Sequence, residues 1–237
     1  GILCNATLLR SLITHDDMTC LPKVRLEGFA DITVCHGSEL IDSLGSSYSR
    51  VGMDETIVVT RSNKRANVYN LGIRGQVLDR EEELSSGDWL MIVKNNYFWT
   101  EAMKADAGKK GEGSDRLPAF LANGDRCVVR RIRNCRDLYG FSFADVWLEF
   151  PDYDGLELQT TVVLDTLHSD APALTFEQQG ALYDGVLEDY ADMSRKQDRL
   201  KASKEDKYFN ALQIKYAYAV TCHKAQGGQW AHVYVDQ

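Results

Sequence analysis

One stretch near the end of the printed sequence restricts the fold more than any other. Two runs with the β-branched and aromatic composition of strands, Tyr216–Val220 and Val233–Val235, are joined by a polar segment. That segment contributes the side chains of Thr221, His223, Lys224 and Gln226. Gly227-Gly228 follows, and glycine lets a backbone approach another group closely. A strand that ends in such a turn is suited to hold an anion, so the stretch predicts a phosphate-handling turn between two strands.

The same stretch resembles motif V of superfamily 1 helicases of the RecD-like branch. The family pattern reads roughly Tyr-Ala-x-Thr-x-His-Lys-x-Gln-Gly-x-Glu-Phe, and the matching residues are Thr221, His223, Lys224, Gln226 and Gly227. The chain has Gln229-Trp230 where the family has Glu-Phe. The resemblance implies that Thr221, His223 and Lys224 bind the sugar-phosphate backbone of single-stranded DNA. It also implies that Gln226, Gly227 and Gln229 lie at a nucleotide cleft.

A second segment, near residue 60, resembles the same family. A strand at 31–35, a helix at 38–44, a buried strand at 55–60 and a helix over 61–74 predict an α/β layer with a mainly parallel sheet. RecD-like helicases place a Thr-Arg-x-Asn turn at the nucleic-acid groove, and Thr60, Arg61 and Asn63 match it.

The helix that follows this turn is predicted to begin at Ser62 or Asn63. The positive end of its dipole, with Arg61, Lys64 and Arg65 beside it, favours phosphate contact. The alternative is a solvated basic face on an exposed helix. We expect the turns near residues 61 and 223 to lie side by side at one edge of the sheet.

The middle of the chain has a different character. Short strands predicted at 87–93, 127–133, 141–150 and 156–164 indicate a small antiparallel barrel or sandwich. RecD-like helicases carry an inserted barrel of Src-homology-3 type at this place, so the resemblance implies the same here. Trp89, Phe141, Phe143 and Trp147 are predicted to be barrel core.

Polar residues of this region are open to two interpretations. Arg131 and Arg133 share one face of their predicted strand and Arg130 takes the other, so a solvated surface is favoured over a DNA contact. Asn95-Asn96-Tyr97 are either turn residues or contacts to a nucleic-acid strand. A flexible loop is predicted over 107–114.

These patterns give a domain organisation. Residues 1–85 with 206–237 are predicted to form an incomplete RecA-like second motor domain, 86–170 the inserted barrel, and 171–205 a helical connection. In the connection, Thr175 is the predicted N-cap of a helix, and 195–207 is interpreted as a solvated helix rather than a DNA-flanking arm.

The sequence contains no Gly-x-x-x-x-Gly-Lys-Ser/Thr phosphate loop and no strand that ends in paired acids. Phosphoryl transfer depends on a phosphate cradle, metal ligands and a cation placed together, so we predict no catalytic residue and no metal site in these residues. The resemblance implies that ATP and Mg²⁺ bind the intact protein, whose first motor domain is expected upstream, with the arginine-bearing motif VI after residue 237. It also implies a role in DNA repair or recombination, with nuclease or recombination subunits as partners.

Composition restricts the binding partners and the cellular location that the sequence predicts. The formal net charge is -8, which argues against indiscriminate binding to nucleic acid but not against a local basic groove. Apolar runs are too short to span a bilayer, so a cytoplasmic location without membrane contact is predicted. The six cysteines show no metal-binding spacing and are expected to be reduced and mostly buried.

Two other functions fit parts of the sequence. One is a non-motor module in which the barrel binds a protein or nucleic-acid strand and the α/β part is scaffold. The other is a hydrolase that uses His223 with Asp236, although no Gly-x-Ser-x-Gly nucleophile motif is present.

Overall fold

A computed structural model describes residues 1–15, 22–110 and 117–236, apart from the side chains of 106–110. The chain divides into two compact units, 1–46 and 47–237. The first unit contains α1 (Ile2–Thr14) and the beginning of α2 (Leu40–Val51). The strand predicted at 31–35 is wrong: no strand forms there, and Val34 is 55% exposed. A strand needs a hydrogen-bonded neighbour, and this run has none in the described residues.

A parallel sheet of three strands lies in the second unit. Its strands are β1 (Thr56–Thr60), β7 (Ala219–Thr221) and β8 (His232–Val235), in the order β7-β1-β8. Both neighbours of β1 run parallel to it, as predicted for this layer. The strand β1 is buried along most of its length, which fits its position in the middle of the sheet.

The helix α3 (Asn63–Gly72) follows β1 directly. The Ser62 hydroxyl accepts a hydrogen bond from the Arg65 N–H at 3.3 Å, so the predicted cap is confirmed. The helix continues into one turn of π-helix, Ile73–Val77.

The second element of the fold is a closed barrel of five strands. They are β2 (Trp89–Ile92), β3 (Arg126–Leu138), β4 (Phe141–Phe150), β5 (Leu156–Val163) and β6 (Leu212–Tyr216). The pair β5–β6 is parallel and the other pairs are antiparallel, so the prediction of an antiparallel barrel is wrong for one pair. The chain leaves β5 and returns to β6 through helices, which allows the parallel pairing.

The remaining helices are α4 (Phe98–Lys110), α5 (Phe176–Asp189), α6 (Lys196–Lys204) and the short α7 (Cys222–Ala225). The Thr175 hydroxyl and the Gln178 side chain form a capping box at the start of α5, which confirms that prediction. The loop predicted over 107–114 is helical as far as Lys110, and the rest lies outside the described residues. In the described part of the chain, no helix is both long and apolar enough to cross a membrane.

The four aromatic side chains predicted to be barrel core have different surroundings. Trp89, Phe141 and Phe143 are buried, but Phe141 and Phe143 pack in a cluster with Leu182 and Val186 of α5. The prediction that Trp147 is core is wrong, because it lies half-buried on the outer face of β4, with the guanidinium carbons of Arg131 and Arg133 5.5 and 5.6 Å from its ring centre. A register shift between Val129 and Arg131 marks a bulge in β3.

The bulge in β3 changes where Arg130 lies. Arg130 donates to Glu149 at 2.5 Å, and Glu149 shares the outer face of β4 with Trp147. All three arginines therefore lie outside the barrel wall, and the prediction that Arg130 takes the opposite face is wrong because a bulge resets the alternation.

The run Tyr216–Val220, predicted as one strand, is divided between the two sheets. Tyr216 ends the barrel strand β6, and β7 begins at Ala219 in the parallel sheet. The side chain of Asn70 replaces the missing strand partners at the break. Its amide donates to the carbonyls of Tyr216 (3.2 Å) and Ala219 (2.9 Å), and its oxygen accepts from the N–H groups of Tyr218 (3.1 Å) and Ala219 (2.7 Å). Part of the segment assigned to the motor domain, 206–237, therefore closes the barrel.

A buried ion network holds the same junction. Asp88, which is 0% exposed, accepts two hydrogen bonds from Arg74 at 3.1 and 3.0 Å and one from Arg80 at 2.7 Å. The Tyr218 hydroxyl donates to the same carboxylate at 2.7 Å. The network therefore links the helical segment after β1, the start of the barrel and the β6–β7 break.

Candidate nucleic-acid interface

The two predicted turns lie next to each other. Thr60, the last residue of β1, is the register partner of Thr221, the last residue of β7. Because the strands are parallel, their carboxyl ends meet at one edge, and the segments that begin at Arg61 and Cys222 leave from adjacent positions. The expected adjacency is confirmed.

In the turn after β1, the residues have different surroundings. The Thr60 side chain is only 2% exposed, and its hydroxyl donates to the Ser62 carbonyl at 3.0 Å, so this side chain shapes the turn. Arg61 is exposed, and its positive charge contributes to lowering the pKa of Asp236. Asn63, half-buried, is the first residue of α3, where N–H groups have no partner within the helix. The turn presents one cation and a helix start.

In the turn after β7, Thr221 is half-buried, forms no cap hydrogen bond to α7, and leads to the exposed His223. The Lys224 ammonium contacts the side-chain oxygen of Asn123, which lies in the loop before β3. Partial burial lowers the pKa of Lys224 from its usual value. Its described partner is neutral, so Lys224 keeps an uncompensated positive charge.

A narrow cleft of about 30 Å³ opens beside these turns. Asn63 and Asn67 of α3, Thr221, Lys224 and Lys215 of β6 contribute to its lining. The Lys215 ammonium donates to the carbonyls of Thr166 (2.9 Å) and Ser169 (2.5 Å), and burial lowers its pKa to about 8. The cleft therefore lies between α3, the end of β7 and the barrel.

Arg65, the third cation of the predicted basic turn, is neutralised. Its guanidinium forms a salt bridge with Asp236, after β8, and Tyr69 donates to the same carboxylate at 2.7 Å. The hydrogen bonds from Arg65 hold the pKa of Asp236 below its ordinary value. Asp236 is thus a full negative charge beside the turn after β1, and it offsets Arg65.

This position of Asp236 leaves the hydrolase alternative without geometric support. The strand β1 lies between β7, which leads to His223, and β8, which leads to Asp236. The described contact of the His223 ring is with the thiol of its neighbour Cys222, at 3.9 Å. Within residues 1–15, 22–105 and 117–236, no three His, Cys, Asp or Glu side chains are grouped to hold a metal ion.

The predicted nucleotide-cleft residues lie together in the loop after α7. Gln226, Gly227 and Gln229 are exposed, and Gly227 has a φ of 88°, a conformation that glycine adopts without strain. A side chain at Gly228 would meet the ring of Trp230 at 2.0 Å. The first glycine is therefore required by the backbone and the second by the packing of Trp230.

The barrel holds this loop at both ends. The guanidinium carbon of Arg126 lies 4.5 Å from the ring centre of Trp89 and 5.7 Å from that of Trp230. The loop before Arg126 supplies Asn123, which contacts Lys224. Sequence reasoning missed both Asn123 and Arg126, because nothing in the local pattern indicates that a loop before a barrel strand reaches the other sheet.

Cysteines are less buried than predicted. Among the five in the described residues, Cys127 is buried, whereas Cys4, Cys35, Cys135 and Cys222 are exposed. Cys20 lies outside the described residues.

The UvrD-like helicase C-terminal domain family matches residues 216–237, which run from the end of β6 through β7 and the turn after it to the residues that follow β8. No curated protein matches the chain. The family match supports a superfamily 1 helicase, with a helicase-related function and DNA binding.

Proposed function

We propose that the chain is part of an ATP-dependent DNA helicase of the RecD-like kind, in which these residues form the second motor domain and grip single-stranded DNA. The observation that carries the proposal is the register pairing of Thr60 with Thr221, which joins the two turns at one edge of the sheet. Arg61 and Lys224 place positive charge there, and neither forms a salt bridge among the described residues.

In this proposal the two turns hold the sugar-phosphate chain. Arg61 and Lys224 supply charge, Thr221 and His223 supply polar groups, and Asn63 offers its N–H at the start of α3. Thr60 acts through the turn that it shapes, since its hydroxyl donates to Ser62. Phosphate contacts carry no base information, so the grip is independent of sequence.

ATP and Mg²⁺ belong to another domain in this proposal. Gln226, Gly227 and Gln229 offer two exposed amides and a glycine, which provide neither a phosphate cradle nor a carboxylate for Mg²⁺. They fit an edge contact with a nucleotide held elsewhere. Closure on that nucleotide would alternate the grip on DNA, and the residues present here would not hydrolyse ATP alone.

The alternative of a barrel-based binding module has one observation in its favour. The outer wall of the barrel carries Trp147 between Arg131 and Arg133, an arrangement that could receive a nucleic-acid strand or a protein. The two functions place the binding surface on different parts of the molecule, so variants can separate them.

Binding of the chain to fluorescent oligothymidine tests the proposal. The wild-type chain is expected to bind weakly, with an affinity that falls as salt rises. Arg61→Ala with Lys224→Ala should weaken binding roughly 10-fold or more and reduce the slope of log K against log salt by about 1.4, at about 0.7 per phosphate contact.

The matched control is Arg131→Ala with Arg133→Ala, which removes two cations from the barrel wall instead. Under the proposal its effect is less than about threefold, because those residues are not in the grip. A large loss in this control, with an unchanged Arg61 and Lys224 double variant, would support the barrel module and overturn the proposed site.

A further inference from the structure

A second hollow, of about 200 Å³, lies on the barrel next to the cleft. Its rim includes Lys94, Asn95 and Tyr97, from the segment after β2, with Gln179 of α5 and Phe209 before β6. None of these residues belongs to the grip described above. The hollow combines aromatic surface, amide groups and a cation.

The two hollows share one wall. Met91 and Lys215 line the cleft, whereas Lys94 and Gln213 line the second hollow. The strands β2 and β6 pair with each other, and Gln213 and Lys215 are alternate residues on one face of β6. Two residues of a strand span about 7 Å. The hollows are therefore neighbours along the outer face of the β2–β6 wall.

A chain of contacts also links the second hollow to the turn after β7. Lys224 contacts the Asn123 side chain, and the Asn123 N–H donates to the Asn95 side chain at 2.8 Å. Asn95 lies on the rim of the hollow. A polymer held at Lys224 thus reaches this rim directly.

Of Asn95, Asn96 and Tyr97, which the sequence left open between turn residues and nucleic-acid contacts, the two asparagines hold the local structure. Asn95 accepts from Asn123, and Asn96 donates to the Asn210 carbonyl at 3.0 Å and accepts from the Trp99 N–H at 3.3 Å. Tyr97 differs, since it is 53% exposed and its ring lies 4.8 Å from that of Phe120 at an angle of 31°. Two rings in this arrangement form a platform that a further flat group can extend.

Charge favours a nucleic acid as the occupant. The Lys94 ammonium donates to the neutral Gln179 side chain at 2.6 Å, so its charge is uncompensated like that of Lys224. Single-stranded nucleic acids bind where cations follow the backbone and exposed aromatic rings stack with the bases. The rim of the hollow provides both a cation, Lys94, and an exposed aromatic ring, Tyr97.

We infer that this hollow is a base-binding subsite, in which one base of a single strand stacks on the Tyr97 ring while the Lys94 ammonium contacts the adjoining phosphate. The inference rests on the proposed grip, because it requires the same strand to pass the turns at Arg61 and Lys224. In this inference the single strand passes over the barrel, and the barrel contacts its bases. The two turns contact only the sugar-phosphate backbone.

The experiment compares oligothymidine with an abasic oligomer of the same length and phosphate count. Tyr97→Ala should weaken binding of oligothymidine about 5- to 100-fold and leave binding of the abasic oligomer unchanged. Tyr97→Phe retains the ring and should bind both like the wild type. Tyr97→Leu, which retains bulk without aromaticity, should behave like Tyr97→Ala, and circular dichroism checks that each variant is folded.

The outcomes separate the two proposals. If Tyr97→Ala and Tyr97→Leu bind both oligomers as the wild type does, the base subsite is overturned while the grip stands. If the variants weaken both oligomers equally, the effect is not stacking and the subsite is again overturned. If the wild type binds neither oligomer, the grip fails and the subsite with it.

Discussion

Positively charged side chains in two regions of this molecule have different partners, although the sequence makes them look alike. At the carboxyl edge of the parallel sheet and the neighbouring barrel loops, Lys224 and Lys94 contact neutral side-chain oxygens. On the barrel wall and at the sheet–barrel junction, Arg130, Arg136 and Arg74 each contact a carboxylate. The difference indicates which cations remain available to a polyanion and which hold the protein together.

The pair Arg61 and Arg65 shows the same contrast over four residues. Arg65 is offset by Asp236, whereas Arg61 forms no salt bridge among the residues that the structure describes. Their partners lie far away in the sequence, so a basic run alone does not identify the cations that bind phosphate.

The largest effect is expected where a cation is both buried and paired. Arg74→Met removes two hydrogen bonds from the fully buried Asp88, and breaking one side of a buried ion pair costs about 3–5 kcal/mol. Urea unfolding should show this loss in the free energy of unfolding. Arg61→Ala, the matched change at an exposed arginine, should stay within about 0.5 kcal/mol of wild type. Equal losses in the two variants would contradict the contrast.

A smaller effect, of opposite sign, is expected from removal of an acid. Asp236→Asn removes the charge that offsets Arg65 beside the turn after β1, so binding of oligothymidine should tighten about two- to fivefold at low salt. The control is Asp145→Asn, which removes the acid beside Arg136 and Lys207 on the barrel and should leave affinity unchanged. Tighter binding in the Asp145→Asn variant alone would indicate that the DNA binds at the barrel wall and not at the two turns.

The smallest effect concerns pH. Burial lowers the pKa of Lys224, so this lysine loses its proton at a lower pH than an ordinary lysine does, and its attraction for phosphate is lost as pH rises. Between about pH 7 and 9.5 the wild type should lose about two- to threefold more affinity for oligothymidine than Lys224→Arg, because arginine stays charged. Identical pH profiles would remove Lys224 from the phosphate contact.

Local features of the fold were predictable from the sequence, because their causes lie within a few residues. The caps at Ser62 and Thr175 follow from side chains that reach backbone groups three residues away. The adjacency of the two turns followed from a family resemblance together with the rule that parallel strands end at one edge.

Features with distant causes were not predictable in the same way. The break between β6 and β7 depends on Asn70, which lies 146 residues before Tyr216. The burial of Phe141 and Phe143 depends on Leu182 and Val186 of α5, about 40 residues further along the chain. The loss of Arg65 as an available cation depends on Asp236, 171 residues further on. In each case the deciding partner is brought near only by the folded chain.

Hydrogen exchange measured with and without oligothymidine tests the central claim most directly. We expect slower amide exchange in both 61–66 and 221–228 when the oligomer is present, and unchanged exchange in the barrel-wall segment 130–136. Protection of the wall segment alone, or of one turn without the other, would contradict the claim that the two turns hold the strand together.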